Sequence, residues 1–285
     1  MTPSKITTAT LREMKSAGSP ITALTAYDAP SARLLDEAGI DLVLVGDSVG
    51  NVKLGYENTL PVTVDEILHH VRAVRRGLTR AMLVADMPYL SYELDAKEAL
   101  RNAGRLVKDG GAEAVKVEGG IEVASVVKEL LRVHVPVMGH LGLTPQAVHR
   151  LGGYRVQGRR PQEAEKIVTD ARILEGAGVF AIVLECVPED LAAEVTRKVS
   201  VPTIGIGAGK ACDGQILVLD DMLGLGAGPS PKFVRRYADL RPTMLEAVRR
   251  YAGDVRGGRF PGPDHSYSDR PARERTPKAR PVSAR

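Results

Sequence analysis

The chain has 285 residues, of which 44% are apolar and 26% are charged, and its formal net charge is +4 at pH 7. This composition is typical of a globular protein with a sizeable core. The sequence contains no run of about eighteen apolar residues, which excludes a membrane-spanning helix. The polar N-terminus does not resemble a signal peptide, so we expect a cytoplasmic protein in which Cys186 and Cys212 are reduced packing residues.

The positive charge is concentrated at the C-terminal end. Residues 269–285 carry six basic and two acidic side chains, which accounts for the whole net charge. The segment also contains three prolines and one aliphatic residue larger than alanine. We therefore expect a disordered basic tail after a single domain that spans residues 1–268. No aromatic platform or basic stripe accompanies the tail, so we expect no nucleic-acid partner.

Short apolar runs recur along the chain and predict β-strands. Eight of them occur, at residues 21–25, 42–46, 82–85, 114–117, 135–139, 180–184, 203–205 and 216–219. Apolar runs of this length are typical of strands that are buried in a parallel sheet.

Helical patterns lie between most of these runs, at residues 65–76, 96–108, 121–131, 161–175 and 189–199. Thr63 and Glu66 have the spacing of a capping box, and Pro161 suits a first helical turn. Alternation of strands and helices with eight strands predicts a single (β/α)8 TIM barrel. An open doubly wound sheet is the alternative. It is disfavoured because residues 27–30, after the first strand, lack the glycines of a nucleotide-binding fingerprint.

Two connections that follow predicted strands are unusually long, at residues 48–62 and 141–160. Both leave the carboxyl ends of strands, so we expect them to overhang the active-site face and at least one of them to act as a lid. The glycine-rich residues 205–209 follow the seventh strand, where barrels often bind phosphate. A tight turn or close approach of a flat ring explains these glycines equally well.

Acidic residues close four of the predicted strands: Asp47, Asp86, Glu118 and Glu185. Because the carboxyl ends of barrel strands meet at one face, we expect these side chains to lie at the same mouth. Four carboxylates there would repel each other unless a cation or protons neutralised them. A single strand-terminal acid more often caps a helix, but this clustering favours a site for a hard cation such as Mg²⁺.

Three further features suggest chemistry at this mouth. Lys116 shares a strand face with Glu118, so it is either part of a structural salt bridge or an anchor for an anionic substrate; a Schiff-base lysine fits a metal site less well. His140, at the end of the fifth strand, could donate a hydrogen bond to a developing oxyanion, or it could be a satisfied core histidine. Glu185 suits a general base that removes a proton from carbon, and its alternative is an ion pair with a lysine or arginine.

Several segments together resemble the ketopantoate hydroxymethyltransferase family (3-methyl-2-oxobutanoate hydroxymethyltransferases). The matching motifs are TALTAYD (22–28), LVGDS (44–48), TLPVT (59–63), VKVEGG (115–120), GHLGLTPQ (139–146), LECVP (184–188), IGIGAG (204–209), DGQI (213–216), FPG (260–262) and DHS (264–266). The resemblance covers about residues 21–266, and the basic tail is the only clear departure from the family.

The resemblance implies a Mg²⁺-dependent barrel that transfers a hydroxymethyl group from 5,10-methylenetetrahydrofolate to 3-methyl-2-oxobutanoate. The products would be 2-dehydropantoate and tetrahydrofolate, at the first committed step of pantothenate synthesis. It also implies a homodecamer, a pentamer of dimers. Carried onto this chain, it implies a metal site at Asp47, Asp86 and Glu118, with Glu185 as the proton acceptor. The 2-oxo acid would be bound at Asp47, Ser48, Asp86 and Lys116, with His140 in a supporting role.

Two other functions remain open at this stage. A Mg²⁺-dependent lyase or phosphonate mutase that acts on a related 2-oxo acid would use a similar cluster of acids. A catalytically silent barrel could instead serve as a binding or scaffold protein. The presence of every acid named above, together with Lys116, argues against the silent barrel, because such a protein would be free to lose them.

Overall fold

The computed structural model describes residues 4–226, 228 and 230–267. Within these residues, eight parallel strands close into a barrel in chain order, and β8 pairs with β1. The predicted (β/α)8 barrel is therefore confirmed. The strands are β1 (Ile21–Thr25), β2 (Leu42–Val45), β3 (Met82–Asp86), β4 (Ala114–Glu118), β5 (Val137–Gly142), β6 (Ala181–Glu185), β7 (Thr203–Ile206) and β8 (Gly214–Leu217).

The α-helices are α1 (Thr8–Ser16), α2 (Ala29–Glu37), α3 (Val64–Arg75), α4 (Ala96–Gly104), α5 (Ala124–Arg132), α6 (Val148–Leu151), α7 (Pro161–Ala177), α8 (Glu189–Lys198), α9 (Leu219–Met222) and α10 (Leu240–Arg256). The capping box of α3 forms as predicted, with Thr63 and Glu66 bonded to each other's backbone N–H groups. Pro161 occupies the first turn of α7. Among the residues described, no helix has the length and apolar character needed to cross a bilayer.

The chain divides into two compact units, Met1–Ala238 and a second that begins at Asp239. The first unit contains the barrel. The second contains α10, and within it the ring of Phe260 lies 5.5 Å from that of Tyr251 and 5.2 Å from that of His265, measured between centroids. The single domain to residue 268 stays a prediction, and the basic tail at 269–285 lies outside the described residues.

The core of the first unit has two layers because side chains alternate across each strand. On β2, Leu42 and Leu44 belong to the cluster inside the barrel, whereas Val43 and Val45 belong to the cluster between the strands and the helices. The inner cluster also includes Leu11 of α1. The inside of the barrel is thus packed with side chains, and polar chemistry is confined to its end.

The segment around α1 packs against the amino-terminal end of the barrel. The backbone N–H of Ile6 donates to Arg80, which precedes β3, and Lys5 Nζ donates to the carbonyl of Ala81 and to Glu113 Oε2. These contacts cover the end of the barrel opposite the predicted acids. The carboxyl end is therefore the face that remains for a ligand.

Several strand boundaries differ from the predicted ones. Asp86, Glu118 and Glu185 are themselves the last residues of β3, β4 and β6. The predicted limits of β5 were wrong. That strand runs from Val137 to Gly142, and His140 lies inside it rather than at its end. The cause is the His-Leu-Gly sequence, which breaks the apolar run although its backbone still pairs with β6.

The two long connections contain short helical turns. A π-helical turn, Gly50–Leu54, lies between β2 and α3. A 3-10 turn, Pro145–Ala147, and α6 lie between β5 and α7. Both connections therefore begin at the carboxyl ends of strands, as expected, but the action of either one as a lid stays a prediction.

Gly142 gives a test of how tightly β5 and β6 pack. Its φ is +93°, and a Cβ atom there would lie 2.3 Å from the carbonyl oxygen of Glu185. Gly153 has a similar φ of +102°, but nothing lies within 4 Å of the added atom. We expect Gly153→Ala to cost about 1–3 kcal/mol through backbone strain, and Gly142→Ala to cost clearly more because the clash adds to the strain. Urea unfolding of both variants measures the difference, and equal losses would contradict the close contact.

Candidate active site

Five of the predicted site residues point into the barrel at its carboxyl end. Because side chains two apart share a strand face, Lys116 and Glu118 of β4 point inward together. The strand register then sets their neighbours: Asp86 is paired with Lys116, and Glu118 with His140. The fifth is Glu185, which ends β6. Sequence position and register thus bring Asp86, Lys116, Glu118 and His140 together as a buried group.

Lys116 lies between two of the carboxylates. Its Nζ atom is 2.6 Å from Asp86 Oδ1 and 3.9 Å from Glu118 Oε1. Burial disfavours the charged lysine, but Asp86, Glu118 and Asp47 outweigh burial and raise the pKa of Lys116. The lysine is therefore a permanent cation, and it forms the salt bridge that was one of its two predicted roles.

His140 connects Glu118 with Glu185. Its Nδ1 atom lies 3.2 Å from Glu118 Oε1, and its Nε2 atom lies 3.2 Å from Glu185 Oε2. Burial and the charge of Lys116 oppose protonation, but the two carboxylates outweigh them and raise the pKa of His140 to about 9. Lys116 Nζ also lies 3.2 Å from Nδ1 of His140. The lysine can donate a hydrogen bond to this nitrogen only when the nitrogen carries no proton. Glu185 is thus partnered by a histidine rather than by the lysine or arginine of its alternative interpretation.

Asp47 follows β2 and joins the group from the neighbouring strand. Its backbone N–H donates to Asp86 Oδ2 at 3.0 Å. Burial, together with the charges of Asp86 and Glu118, raises the pKa of Asp47 to about 8. Burial likewise raises the pKa of Asp86, although Lys116 opposes that shift. For Glu118, burial favours the protonated form, but the nearby His140 and Lys116, together with the hydrogen bond from the backbone of Gln146, outweigh burial and lower its pKa.

Gly46 makes this approach of Asp47 to Asp86 possible. A Cβ atom at residue 46 would lie 3.0 Å from Ser48 Oγ and 3.3 Å from Asp86 Oδ2. Ser48 Oγ is in turn 2.8 Å from the hydroxyl of Tyr27, a buried side chain whose pKa is raised by burial. Tyr27 therefore remains protonated and can donate to Ser48, which leaves the serine proton free for a ligand.

When all of its groups are ionised, this cluster carries more negative than positive charge, which suits a bound cation. Three buried carboxylates, Asp47, Asp86 and Glu118, face one lysine and one histidine. Asp86 Oδ1 and Glu118 Oε1 have no partner in hydrogen-bonding geometry among the described residues, although charged groups lie near both. In the part of the chain described, no group of three or more His, Cys, Asp or Glu side chains is placed so that it could hold a metal ion. Mg²⁺ often takes only one or two carboxylates and completes its shell with water and substrate oxygens, so these residues fit it.

Two residues of this site were missed in the sequence. Gln146 donates from Nε2 to Asp47 Oδ2 at 3.0 Å, and its backbone N–H donates to Glu118 Oε2 at 3.0 Å. The hydroxyl of Tyr92 donates to Gln146 Oε1 at 2.8 Å. Neither residue belongs to a periodic pattern. Two signals pointed to Gln146: its position in a long connection that follows a strand, and its place at the end of the GHLGLTPQ motif (139–146).

The glycine-rich segment after β7 and the cysteines lie outside this group. Gly207 and Gly209 have positive φ, and added Cβ atoms would lie 2.9 Å from Phe233 and 2.4 Å from Glu189. These contacts agree with the tight-turn interpretation of the glycines. A cavity of about 850 Å³ lies at β1 and β8, but none of the predicted site residues lines it. Both cysteines are free, as expected.

A family model described as "Ketopantoate hydroxymethyltransferase" matches residues 5–263. The chain belongs to this family of transferases. A relative from Syntrophotalea carbinolica, named 3-methyl-2-oxobutanoate hydroxymethyltransferase, is 57% identical over 90% of this chain and 97% of its own length. A relative of the same name from Prosthecochloris aestuarii is 55% identical over 92% of this chain and 96% of its own length.

Two solved structures have the same fold as this member of the ketopantoate hydroxymethyltransferase family but little sequence in common with it. Phosphonopyruvate hydrolase in complex with oxalate and Mg²⁺ aligns with a TM-score of 0.58 at 14% identity, covering 90% of this chain and 92% of that one. 2,3-Dimethylmalate lyase, a member of the PEP mutase/isocitrate lyase superfamily, aligns with a TM-score of 0.57 at 14% identity, covering 94% and 93%. At this identity the likeness shows the fold alone.

The raised pKa of Asp47 can be tested in metal-free protein. In the unfolded chain an aspartate has a pKa near ~3.9, whereas burial raises that of Asp47 in the folded chain to about 8. Folding therefore favours the protonated form, and the contribution of Asp47 to stability falls as pH rises between these two values. Asparagine has a similar shape and cannot ionise. We expect Asp47→Asn to be more stable than the parent chain at pH 8 and this advantage to shrink toward pH 4, in urea unfolding with a chelator. An advantage independent of pH would contradict the shift.

Proposed function

We propose that this protein transfers a hydroxymethyl group from 5,10-methylenetetrahydrofolate to 3-methyl-2-oxobutanoate, giving 2-dehydropantoate and tetrahydrofolate. This would be the first step of pantothenate synthesis. The observation that carries the proposal is the buried group at the barrel mouth, where three carboxylates face one lysine and Glu185 is connected to them through His140. The names of the relatives support the same substrate.

The excess negative charge supports a divalent cation, and we propose Mg²⁺ held by Asp47 and Asp86, with Glu118 as a direct or water-mediated ligand. When bound, the cation would act as a Lewis acid that polarises the ketone of the 2-oxo acid. The carboxylate of the substrate needs donors, and Lys116 Nζ and Ser48 Oγ supply them. Lys116 remains charged when buried, and Tyr27 can donate to Ser48 Oγ, an arrangement that would leave the Ser48 proton free for the substrate.

Glu185 is the proposed proton acceptor. Its carboxylate is about one-sixth exposed at the mouth, and His140 Nε2 lies beside Oε2, which leaves Oε1 free to face a substrate. A proton removed from the branched carbon would move to this oxygen, and a placed base typically contributes ~10²–10⁴-fold to such a step. The carbon nucleophile would then attack the one-carbon unit of the folate, and water would supply the hydroxyl oxygen. His140 Nε2 has no partner in hydrogen-bonding geometry among the described residues, so its alternative role, a direct bond to a developing oxyanion, stays open.

Deuterium exchange tests the role of Glu185. We expect Glu185→Gln to bind the 2-oxo acid and Mg²⁺ but to lose most of the exchange at the branched carbon, because the amide cannot accept the proton. The measurement is loss of the ¹H signal of 3-methyl-2-oxobutanoate in D₂O, with Glu189→Gln as a matched control on the exposed start of α8. Exchange at the parent rate in Glu185→Gln would remove this residue from the base role.

Calorimetry tests the cation site. We expect Asp47→Ala and Asp86→Ala to abolish Mg²⁺-dependent binding of the 2-oxo acid, because each removes a buried carboxylate that would contact the cation. Asp190→Ala, at an exposed aspartate of α8, is the control and should bind as the parent chain does. Unchanged binding in both site variants would refute the ligand assignment.

One assay separates the proposed transferase from a lyase or phosphonate mutase. The 2-oxo acid is incubated with and without methylenetetrahydrofolate, in each case with and without Mg²⁺. We expect product only when all three are present, whereas a lyase or mutase would act on its own 2-oxo acid without the folate. The homodecamer that the resemblance implies and the cytoplasmic location expected from the N-terminus and the cysteines stay predictions.

A further inference from the structure

Gln146 uses every hydrogen-bonding group of its side chain at the mouth of the barrel. Its Nε2 atom donates to Asp47 Oδ2 at 3.0 Å and to the carbonyl of Met87 at 3.1 Å. Its Oε1 atom accepts from Tyr92 at 2.8 Å. The side chain is buried, so no water can replace these bonds at low cost. Two donors and one acceptor leave the amide in a single defined position.

The orientation of the amide follows from its neighbours. The Met87 carbonyl can only accept a hydrogen bond, so the NH₂ group must face it, and the second amide hydrogen then points to Asp47 Oδ2. The hydroxyl of Tyr92 also accepts from the backbone N–H of Glu118 at 3.1 Å, so its own proton is available for Gln146 Oε1. A rotated amide would instead place Oε1 against Asp47 Oδ2 and the carbonyl oxygen of Met87. The network thus permits one arrangement.

Gln146 hydrogen-bonds two of the three proposed cation ligands and the residue that follows the third. It holds the carboxylate of Asp47 through its side chain and the carboxylate of Glu118 through its backbone N–H. It also bonds to Met87, the residue that follows Asp86. No other side chain among the described residues hydrogen-bonds the carboxylate of Asp47 while its own backbone N–H donates to that of Glu118. One residue of the β5–α7 connection therefore spans ligands from β2, β3 and β4.

We propose that Gln146 is a positioning residue that orients the carboxylates of Asp47 and Glu118 toward a divalent cation. The inference rests on the proposed cation site. A neutral amide suits this task because it donates hydrogen bonds without removing the negative charge that attracts the cation. A glutamate would add a fourth carboxylate beside Asp47, and a lysine would compete with the cation for it. Groups that orient metal ligands in this way typically change metal affinity by ~10–100-fold when removed.

The test uses Mn²⁺ alone as the probe, titrated calorimetrically into purified, metal-free protein. Gln146→Met keeps the approximate length of the side chain but can neither donate nor accept these bonds. We expect its dissociation constant for Mn²⁺ to rise by ~10–100-fold. Gln157→Met is the matched control, because Gln157 lies on the same connection and its side-chain amide donates only to the Arg155 carbonyl among the described residues. This control should bind Mn²⁺ as the parent chain does.

A second variant keeps the inference testable if Gln146→Met does not fold. Tyr92→Phe retains Gln146 but removes the hydroxyl that holds its Oε1 atom, so we expect a smaller loss of Mn²⁺ affinity in the same direction. In both variants, saturating Mn²⁺ should restore kcat for the hydroxymethyl transfer close to the parent value. A purely structural role would lower thermal stability and leave the dissociation constant unchanged.

Asp47→Ala separates this inference from the proposed function. If Asp47→Ala loses Mn²⁺ binding while folded Gln146→Met and Tyr92→Phe bind as the parent chain does, the positioning role is overturned and the cation site stands. If Asp47→Ala itself binds Mn²⁺ normally, the proposed cation site is wrong, and the inference fails with it. Weaker binding in Asp47→Ala, Gln146→Met and Tyr92→Phe, but not in Gln157→Met, supports both.

Discussion

The buried carboxylates of Asp47, Asp86 and Glu118 set the conditions for the rest of the site, because they outnumber the basic side chains beside them, Lys116 and His140. Ionised carboxylates are costly to bury unless charge or hydrogen bonds compensate them. Here burial raises the pKa values of both aspartates, so the metal-free site holds protons that a cation would displace. The unsatisfied oxygens of Asp86 and Glu118 point to the same imbalance.

The barrel supplies the rigid frame in which such an imbalance can persist. Alternation along β4 places Lys116 and Glu118 on the inner face, above an apolar interior that excludes water. The register with β5 then brings His140 beside Glu118, and His140 reaches Glu185 on β6. Charges on neighbouring strands are thus coupled through one histidine. The proposed base and the proposed cation ligands are therefore electrostatically coupled. A change in the charge of one carboxylate alters the electrostatic environment of the others.

Local patterns in the sequence were sufficient for the barrel and for most of the site. The apolar runs located all eight strands, and the strand-end acids located the mouth. Predictions failed where local signals were weak. Helix α2 begins at Ala29, with Asp28 as its N-cap and a proline in its first turn, and the apolar periodicity did not predict it. His140 was placed at the end of its strand because the apolar run stops there, although pairing with β6 carries the strand on to Gly142.

By itself, the sequence determined which strands form, which acids stand at their ends and that Lys116 shares a strand face with Glu118. These features depend only on local apolar runs and on the two-residue period of a strand. Only the tertiary structure decided which polar groups touch. Gln146 is 99 residues from Asp47 along the chain, yet their side chains are hydrogen-bonded. Tyr27 and Ser48, or His140 and Glu185, likewise meet only when the barrel closes. Contacts of this kind depend on strand register and on the path of loops, which no local pattern encodes.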